Sequence, residues 1–493
     1  MKETRMSGYF FTGVLACTSI TLLSGCGESK TSEETVKPNI IFIMADDLGF
    51  GDLSCYGQQT LSTPKIDQMA ADGMMFMRHY SGSTVCGPSR ASLLTGKHTG
   101  NTSVRGNQPE QLLGDEEITF AHILKEAGYV TGKIGKWGVG HPPPVEDPAR
   151  KGFDYFYGYI NMWHAHNYYP EFLYRNGKKE YLEGNRLMKV DGKNPFPTFP
   201  EGTGVAEQKE QYTHFLFDED AIRFIEEHKD TTFFLFMSLL LPHTNNEAGT
   251  LLGDGMEVPD YGPFEDKDWP NQAKGFARMI QYLDNTVGMI NEKLKELGLD
   301  ENTLVIFTND NGPHNEGGHS ADFFNSNGGL RGYKRDKYEG GIRVPMIAKW
   351  PGVIAAGTRT EHVSAFWDYM PTFCELGKVD TPADTDGISF LPTLLGEPDI
   401  QQTHNYLYWE FYEGGGKQAV LAGEWKGLRF NTRSGNPTPL ELYNLSTDPA
   451  EENNIAAQHP DIVEKLEAFM GEAHTPLPII SLFNTEVSSE MQF

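Results

Sequence analysis

The sequence predicts an α/β fold: a large, mostly parallel central sheet flanked by helices, followed by a smaller α+β subdomain at the C-terminus. Three observations predict it. Four apolar runs carry no polar alternation: residues 38–49, 231–243, 302–312 and 343–352. Such runs suit parallel strands buried on both faces. Helical patterns separate them. Beyond about residue 390 the texture changes to a strand-like stretch at 419–431 and an amphipathic helix at 459–473.

At the N-terminus, Lys2 and Arg5 precede an apolar run, and small residues then lead to Cys26. This order reads as an exported lipoprotein signal over 1–26, with lipidation at Cys26 and export to the periplasm or surface of a bacterial cell. A polar tether over 27–37 follows. The catalytic domain is expected over 38–390 and the C-terminal subdomain over 391–493. Among the helices, Thr63, Pro64 and Gly73 mark the ends of one near 64–72. Residues 217–230 and 278–298 repeat apolar side chains at helical spacing.

Composition narrows the function classes. The 493 residues are 38% hydrophobic and 22% charged, which is globular. A formal net charge of −27 argues against nucleic-acid binding, which runs on Lys/Arg stripes. After the leader, Cys55, Cys86 and Cys374 remain, an odd number that suggests no disulfide framework.

Three of the apolar runs end in chemistry: Asp46-Asp47, Pro242-His243 and Asp310-Asn311. Open parallel sheets bind ligands beyond the carboxyl ends of their strands, so these ends converge on a site. Asp46, Asp47, Asp310 and Asn311 offer only oxygen donors, which suit Ca²⁺ or Mg²⁺ rather than zinc. Cys86 stands before Pro88 and a helix that Gly96 can close. That places it where backbone N–H groups favour an anion, with Arg90 as an added positive fork.

The stretch "CGPSRASLLTG" matches the C-x-P-S-R signature of the type I, formylglycine-dependent sulfatases of the alkaline phosphatase superfamily. "NIIFIMADDLGFGD", "TGKIGKWG", "LLPH", "TNDNG", "LRGYKRDKYEGGIRVP" and "ELYNLSTDPAEENNIA" resemble the family's other marks, in order, over roughly 38–470. The resemblance implies an alkaline phosphatase-like sheet and hydrolysis of sulfate esters. It implies that a maturase converts Cys86 to Cα-formylglycine, whose hydrate attacks sulfur through one hydroxyl and expels sulfate through the other. It implies Ca²⁺ held by Asp46, Asp47, Asp310, Asn311 and modified residue 86. Arg90 would hold the diol, Lys136 and Lys334 would clamp sulfate oxygens, and His243 would protonate the leaving oxygen.

One position departs from the pattern. The family commonly carries a histidine after the tryptophan of G-K-W, and this chain has Gly138. His141 is the nearest candidate for the missing base, and His79 is another. Specificity is expected from two loops. One is aromatic, over 152–177, with His164 and His166. The other, over 311–332, carries His314, His319, Asp322, Asn325 and Asn327. Aromatic platforms with scattered hydrogen-bonding groups suit a sugar ring, with His166, His314, His319 and Asp322 as candidate contacts. The substrate implied is a sulfated oligosaccharide cut at a chain end, such as 4-sulfated galactose or N-acetylgalactosamine. Two alternatives remain open: a phosphomonoesterase or phosphodiesterase of the same superfamily, and a non-catalytic lipoprotein that binds sulfated glycans.

Overall fold

Every residue of β1 (Asn39–Ala45) is buried, because the strand lies in the middle of a sheet covered on both faces. The structure is a computed structural model and describes residues 37–107, 112–140 and 147–477. The signal, Cys26, nearly all of the tether and His141 lie outside the described residues. Among the described residues, no helix is long and apolar enough to cross a membrane.

In chain order the strands are β1, β2 (Met74–Tyr80), β3 (Val130–Lys136), β4 (Tyr155–Tyr159), β5 (Phe172–Arg175), β6 (Lys178–Tyr181), β7 (Arg186–Leu187) and β8 (Ala206–Gln208). They continue with β9 (Phe233–Ser238), β10 (Thr303–Asn309), β11 (Arg343–Lys349), β12 (Thr358–Ala365), β13 (Leu407–Phe411), β14 (Lys417–Ala422), β15 (Trp425–Phe430) and β16 (Glu441–Asn444). The central sheet has ten strands in the order β12-β2-β11-β10-β1-β9-β3-β4-β5-β6. Its centre, β10-β1-β9-β3-β4, is parallel throughout. One expectation is corrected here: the run at 343–352 forms β11, which pairs antiparallel with both β10 and β2. Continuous apolarity reports burial on both faces, and this antiparallel strand is as covered as its parallel neighbours.

Alternation along β1 builds two cores. Ile41 and Ile43 pack on one face with residues of the helices Thr213–Glu227 and Asn271–Leu297. Ile40, Phe42 and Met44 pack on the other with residues of the helices Cys86–Thr95 and Tyr369–Gly377. The helices of the first layer bury a single apolar stripe, whereas Cys86–Thr95 on the second is buried all round. The C-terminal part is an antiparallel sheet, β13-β14-β15-β16. One face takes the helix Pro460–Ala473 through Leu466 and Met470. The other packs on Tyr80, Ile342 and Trp367 through Leu407, Trp409 and Leu428.

Candidate active site

The polar cluster lies at the carboxyl ends of neighbouring strands. Asp46 and Asp47 follow β1, Asp310 and Asn311 follow β10, Lys136 ends β3, and β9 leads through Ser238 to His243. Parallel pairing in register, such as Ala45 with Asn309 and Met44 with Ser238, carries these ends to one edge. Asp47 turns the chain with φ 66, a left-handed conformation that aspartate tolerates.

Cys86 is the first residue of the helix Cys86–Thr95, which is buried along its whole length and closed by Gly96 at φ 69. Asn107 holds this N-terminus: its Oδ1 accepts from Gly87 N–H at 3.0 Å and its Nδ2 lies 3.6 Å from Cys86 Sγ. Burial pushes the Cys86 thiol up, so an unmodified cysteine here is a protonated, poor nucleophile.

One turn further on, the Arg90 guanidinium joins two strands. Its Nη2 lies 3.1 Å from Asp46 Oδ2 and 2.8 Å from Asp310 Oδ2, and Nη1 donates to Ser238 Oγ. Lys136 Nζ is 2.7 Å from Asp46 Oδ2, and Lys334 Nζ is 2.8 Å from Asp47 Oδ2 and 2.9 Å from Glu316 Oε2. Burial alone raises a carboxyl, but Lys136, His243 and Arg90 outweigh it and hold Asp46 low. Lys334 and His243 do the same for Asp47. Asp310 is pushed up to about 7 by burial and by the Asp46 charge, against Arg90.

His243 Nδ1 lies 2.6 Å from the Thr244 carbonyl, which only accepts, so the proton sits on Nδ1 and Nε2 is bare. Nε2 faces Lys334 Nζ at 3.3 Å and Asp47 Oδ2 at 3.4 Å. Burial, working against the Asp47 charge, pushes the ring down to about 3. His166 stacks on His243 at 5.0 Å between centroids and bonds Glu247 at 3.1 Å through Nδ1. His314 stacks on His243 at 6.2 Å between centroids.

The structure therefore brings together Asp46, Asp47, Cys86, Arg90, Lys136, His243, Asp310, Asn311 and Lys334, with His166 and His314 beside them. His319 lies next to His314 at 5.1 Å, stacked flat on Phe276. Asp322 accepts from Tyr333, the neighbour of Lys334 in sequence. Two further histidines make other contacts. His79 is enclosed, with its ring nitrogens 2.9 Å from Ser364 Oγ and 3.1 Å from Tyr369 Oη, which makes it a structural histidine. His164 is buried edge-on to Tyr159 and close against Phe172.

Sequence reasoning missed Ser238, Glu316 and Asn107. Glu316 stands two residues from His314 in a loop already singled out, so its position was a readable signal. Asn107 and Ser238 carry none locally. Gly138 has φ 76, and a Cβ there would lie 3.0 Å from Arg90 Cδ. The positive φ thus strains any side chain at this position, and a Cβ would press on the Arg90 side chain.

The donor set fits a hard divalent cation. Buried Asp46 Oδ1 and Asn311 Oδ1 lack hydrogen-bond partners, and ligand atoms of Asp46, Asp47 and His243 lie within 4.8 Å of one another.

Comparisons with known proteins bear on the family and the fold. The sulfatase family model covers residues 38–379, and the model for the C-terminal part of N-sulphoglucosamine sulphohydrolase covers 331–475. N-acetylgalactosamine-6-O-sulfatase of Bacteroides thetaiotaomicron is 30% identical over 92% of this chain and 97% of its own. N-acetylgalactosamine-6-sulfatase of Canis lupus familiaris is 33% identical over 90% of this chain and 79% of its own. A solved structure from work on glycosaminoglycan metabolism by Bacteroides thetaiotaomicron, with a label ending in 6S-sulf, superposes with a TM-score of 0.72. It is 29% identical and covers 88% of this chain and 99% of that one.

Proposed function

From the premise that the chain belongs to the sulfatase family and is a sulfuric ester hydrolase, we propose that it removes sulfate from a carbohydrate using a formylglycine made from Cys86. The observation that carries this reading is Cys86 itself, buried at a helix N-terminus where Lys136 and Lys334 pull its thiol down against the burial that pushes it up. As a thiol it does little; as a hydrated aldehyde, residue 86 would supply both the oxygen nucleophile and the route by which sulfate leaves.

Asp46, Asp47, Asp310 and Asn311 would hold Ca²⁺, which would supply charge stabilisation to the sulfate oxygens. Lys136 and Lys334 bring ammonium groups to the same place, where negative charge grows in the transition state. Arg90 ties Asp46 to Asp310 and keeps water out of that edge by filling it. Lys334 and His243 form the acid pair: the ammonium carries the proton that passes to the leaving oxygen, and the bare Nε2 of His243, 3.3 Å away, accepts a hydrogen bond from it and holds it in place. His166 and His314 enclose His243 and fix its plane. The base expected at His141 is kept as a proposal, as is the division of the chain near residue 390.

The names of the relatives put a 6-sulfated N-acetylgalactosamine first among substrates, with the 4-sulfated sugars second. Exo action on the oligosaccharide, by an enzyme that is itself a periplasmic or cell-surface lipoprotein lipidated at Cys26, remains part of the proposal. The test is the mass of the tryptic peptide His79–Arg90 from protein made with an active maturase, followed by a panel of defined sulfated sugars. An aldehyde in place of the thiol, with release of sulfate, supports the reading. A free thiol beside a converted control peptide overturns it.

A further inference from the structure

We propose that Lys426, far from the site in the C-terminal sheet, is a positioning residue for Lys334: with Glu339 and Glu451 it forms a buried ionic triad that bolts the lysine-bearing loop to that sheet. The inference rests on the role of Lys334 proposed above. Lys426 lies on β15, and its Nζ is 2.9 Å from Glu339 Oε1 and 3.0 Å from Glu451 Oε1. All three residues are 0% exposed. Glu339 lies five residues beyond Lys334 on the same segment.

Further bonds extend the clamp along that segment. Glu339 N–H donates to Glu451 Oε2 at 2.6 Å. Arg331 donates to the Glu451 carbonyl at 2.6 Å and lies over the Tyr338 ring. Tyr338 Oη donates to Glu441 at 2.8 Å, and Lys417 Nζ donates to the Arg335 carbonyl at 2.7 Å. The segment 331–342 is thus held at both ends and in its middle by β14, β15, β16 and the chain after it. Lys334 reaches Asp47 from between these anchors.

Burial of charge argues that the triad is there for direction. Two carboxylates and one ammonium in a dry site need compensation, and Arg343 at 3.6 Å from Glu339 Oε2 supplies the second cation. An apolar set of the same volume holds two surfaces together at comparable stability. An ionic triad adds a fixed register, and register decides whether an ammonium stands within reach of a sulfate oxygen.

The test uses the full, matured chain with formylglycine content at residue 86 measured by mass. Lys426→Met is compared with the charge-balanced pair Lys426→Met/Glu451→Gln, which keeps an acceptor for Glu339 N–H and so folds if the single variant does not. Tm and kcat/KM on a sulfated sugar are read for each. The expected result is a folded double variant whose kcat/KM falls about tenfold or more, a part of the ~10²–10³ that loss of one such charge contact costs. The same changes placed in Lys334→Ala, assayed with an aryl sulfate to keep turnover measurable, are expected to alter kcat/KM by less than about twofold, because they act through Lys334. A lowered Tm with parental kcat/KM overturns the proposal, and so does an equal loss in the Lys334→Ala background. Parental activity in Lys334→Ala alone overturns the acid pair, and the inference with it.

Discussion

Lys136 Nζ lies 2.7 Å from Asp46 Oδ2, so one carboxylate serves both an ammonium and the proposed cation. Cation and ammonium compete electrostatically for Asp46 at the same time as they cooperate on the sulfate. Replacing Lys136 by Met is expected to tighten Ca²⁺ binding by roughly tenfold while turnover falls by ~10² or more. Calorimetric titration with Ca²⁺ beside sulfate release checks both signs. Weaker Ca²⁺ binding in the variant would count against a cation at Asp46.

Removal of the metal is expected to lower stability as well as activity. Dialysis against a chelator and return of Ca²⁺ at about a hundred times its Kd are expected to restore about 2.7 kcal/mol. In Asp47→Asn that gain is expected to shrink or vanish, since both loops around the site lose their shared ligand. Restoration by Zn²⁺ but not Ca²⁺ would contradict the all-oxygen donor set.

In the proposed reading His243 positions the Lys334 ammonium that protonates the leaving oxygen, so its worth depends on how much that oxygen needs a proton. His243→Gln is expected to lower kcat/KM on a sulfated sugar by ~10²–10³, and markedly less on an aryl sulfate, whose phenolate leaves without help. Equal losses on the two substrates would assign His243 to binding instead.

Gly138 is a departure from the family pattern with a structural cause. Its φ is 76, and a Cβ would stand 3.0 Å from Arg90 Cδ. Gly138→His is therefore expected to cost about 1–3 kcal/mol through strain and to lower activity by displacing Arg90. Thermal melting and sulfate release measure the two effects. A gain in turnover would show that the backbone accommodates the side chain after all.

Asp52 offers a pH signature away from the cluster. It is fully buried, its Oδ2 accepts from Gly49 N–H at 2.7 Å, and burial pushes its carboxyl from 3.8 up to about 7. The folded state therefore binds this proton more tightly than the unfolded chain does. Its contribution is fully present below about pH 4 and is lost as pH rises through about 7, at up to about 1.4 kcal/mol per pH unit. Asp52→Asn is expected to flatten that part of the urea-midpoint profile and to gain on the parent above pH 7. Parallel profiles for the two proteins would rule out the buried proton.

Much of this site is visible in the chain because strands end abruptly. The run before Asp46-Asp47 is apolar to its last residue, and a buried strand can release polar side chains only at its end. The same holds for Asp310-Asn311, and the helix signals around Cys86 are local in the same way. His79 and His164 look as eligible as His243 in the linear sequence. Whether a histidine meets a carboxylate or a serine hydroxyl depends on which strand lies beside it.

By itself the sequence determined the α/β layering, the strand ends that carry the proposed oxygen ligands and the C-x-P-S-R motif at Cys86, since each rests on neighbours a few residues apart. Only the tertiary structure decided that the run at 343–352 is antiparallel, that His243 is held neutral beside Lys334, and that Gly138 is enforced by Arg90. The joining of Glu339 to Lys426 was decided there too. These depend on burial and on contacts between distant segments. Desolvation and charge pairing act on distance in space, which the order of residues along a chain does not contain.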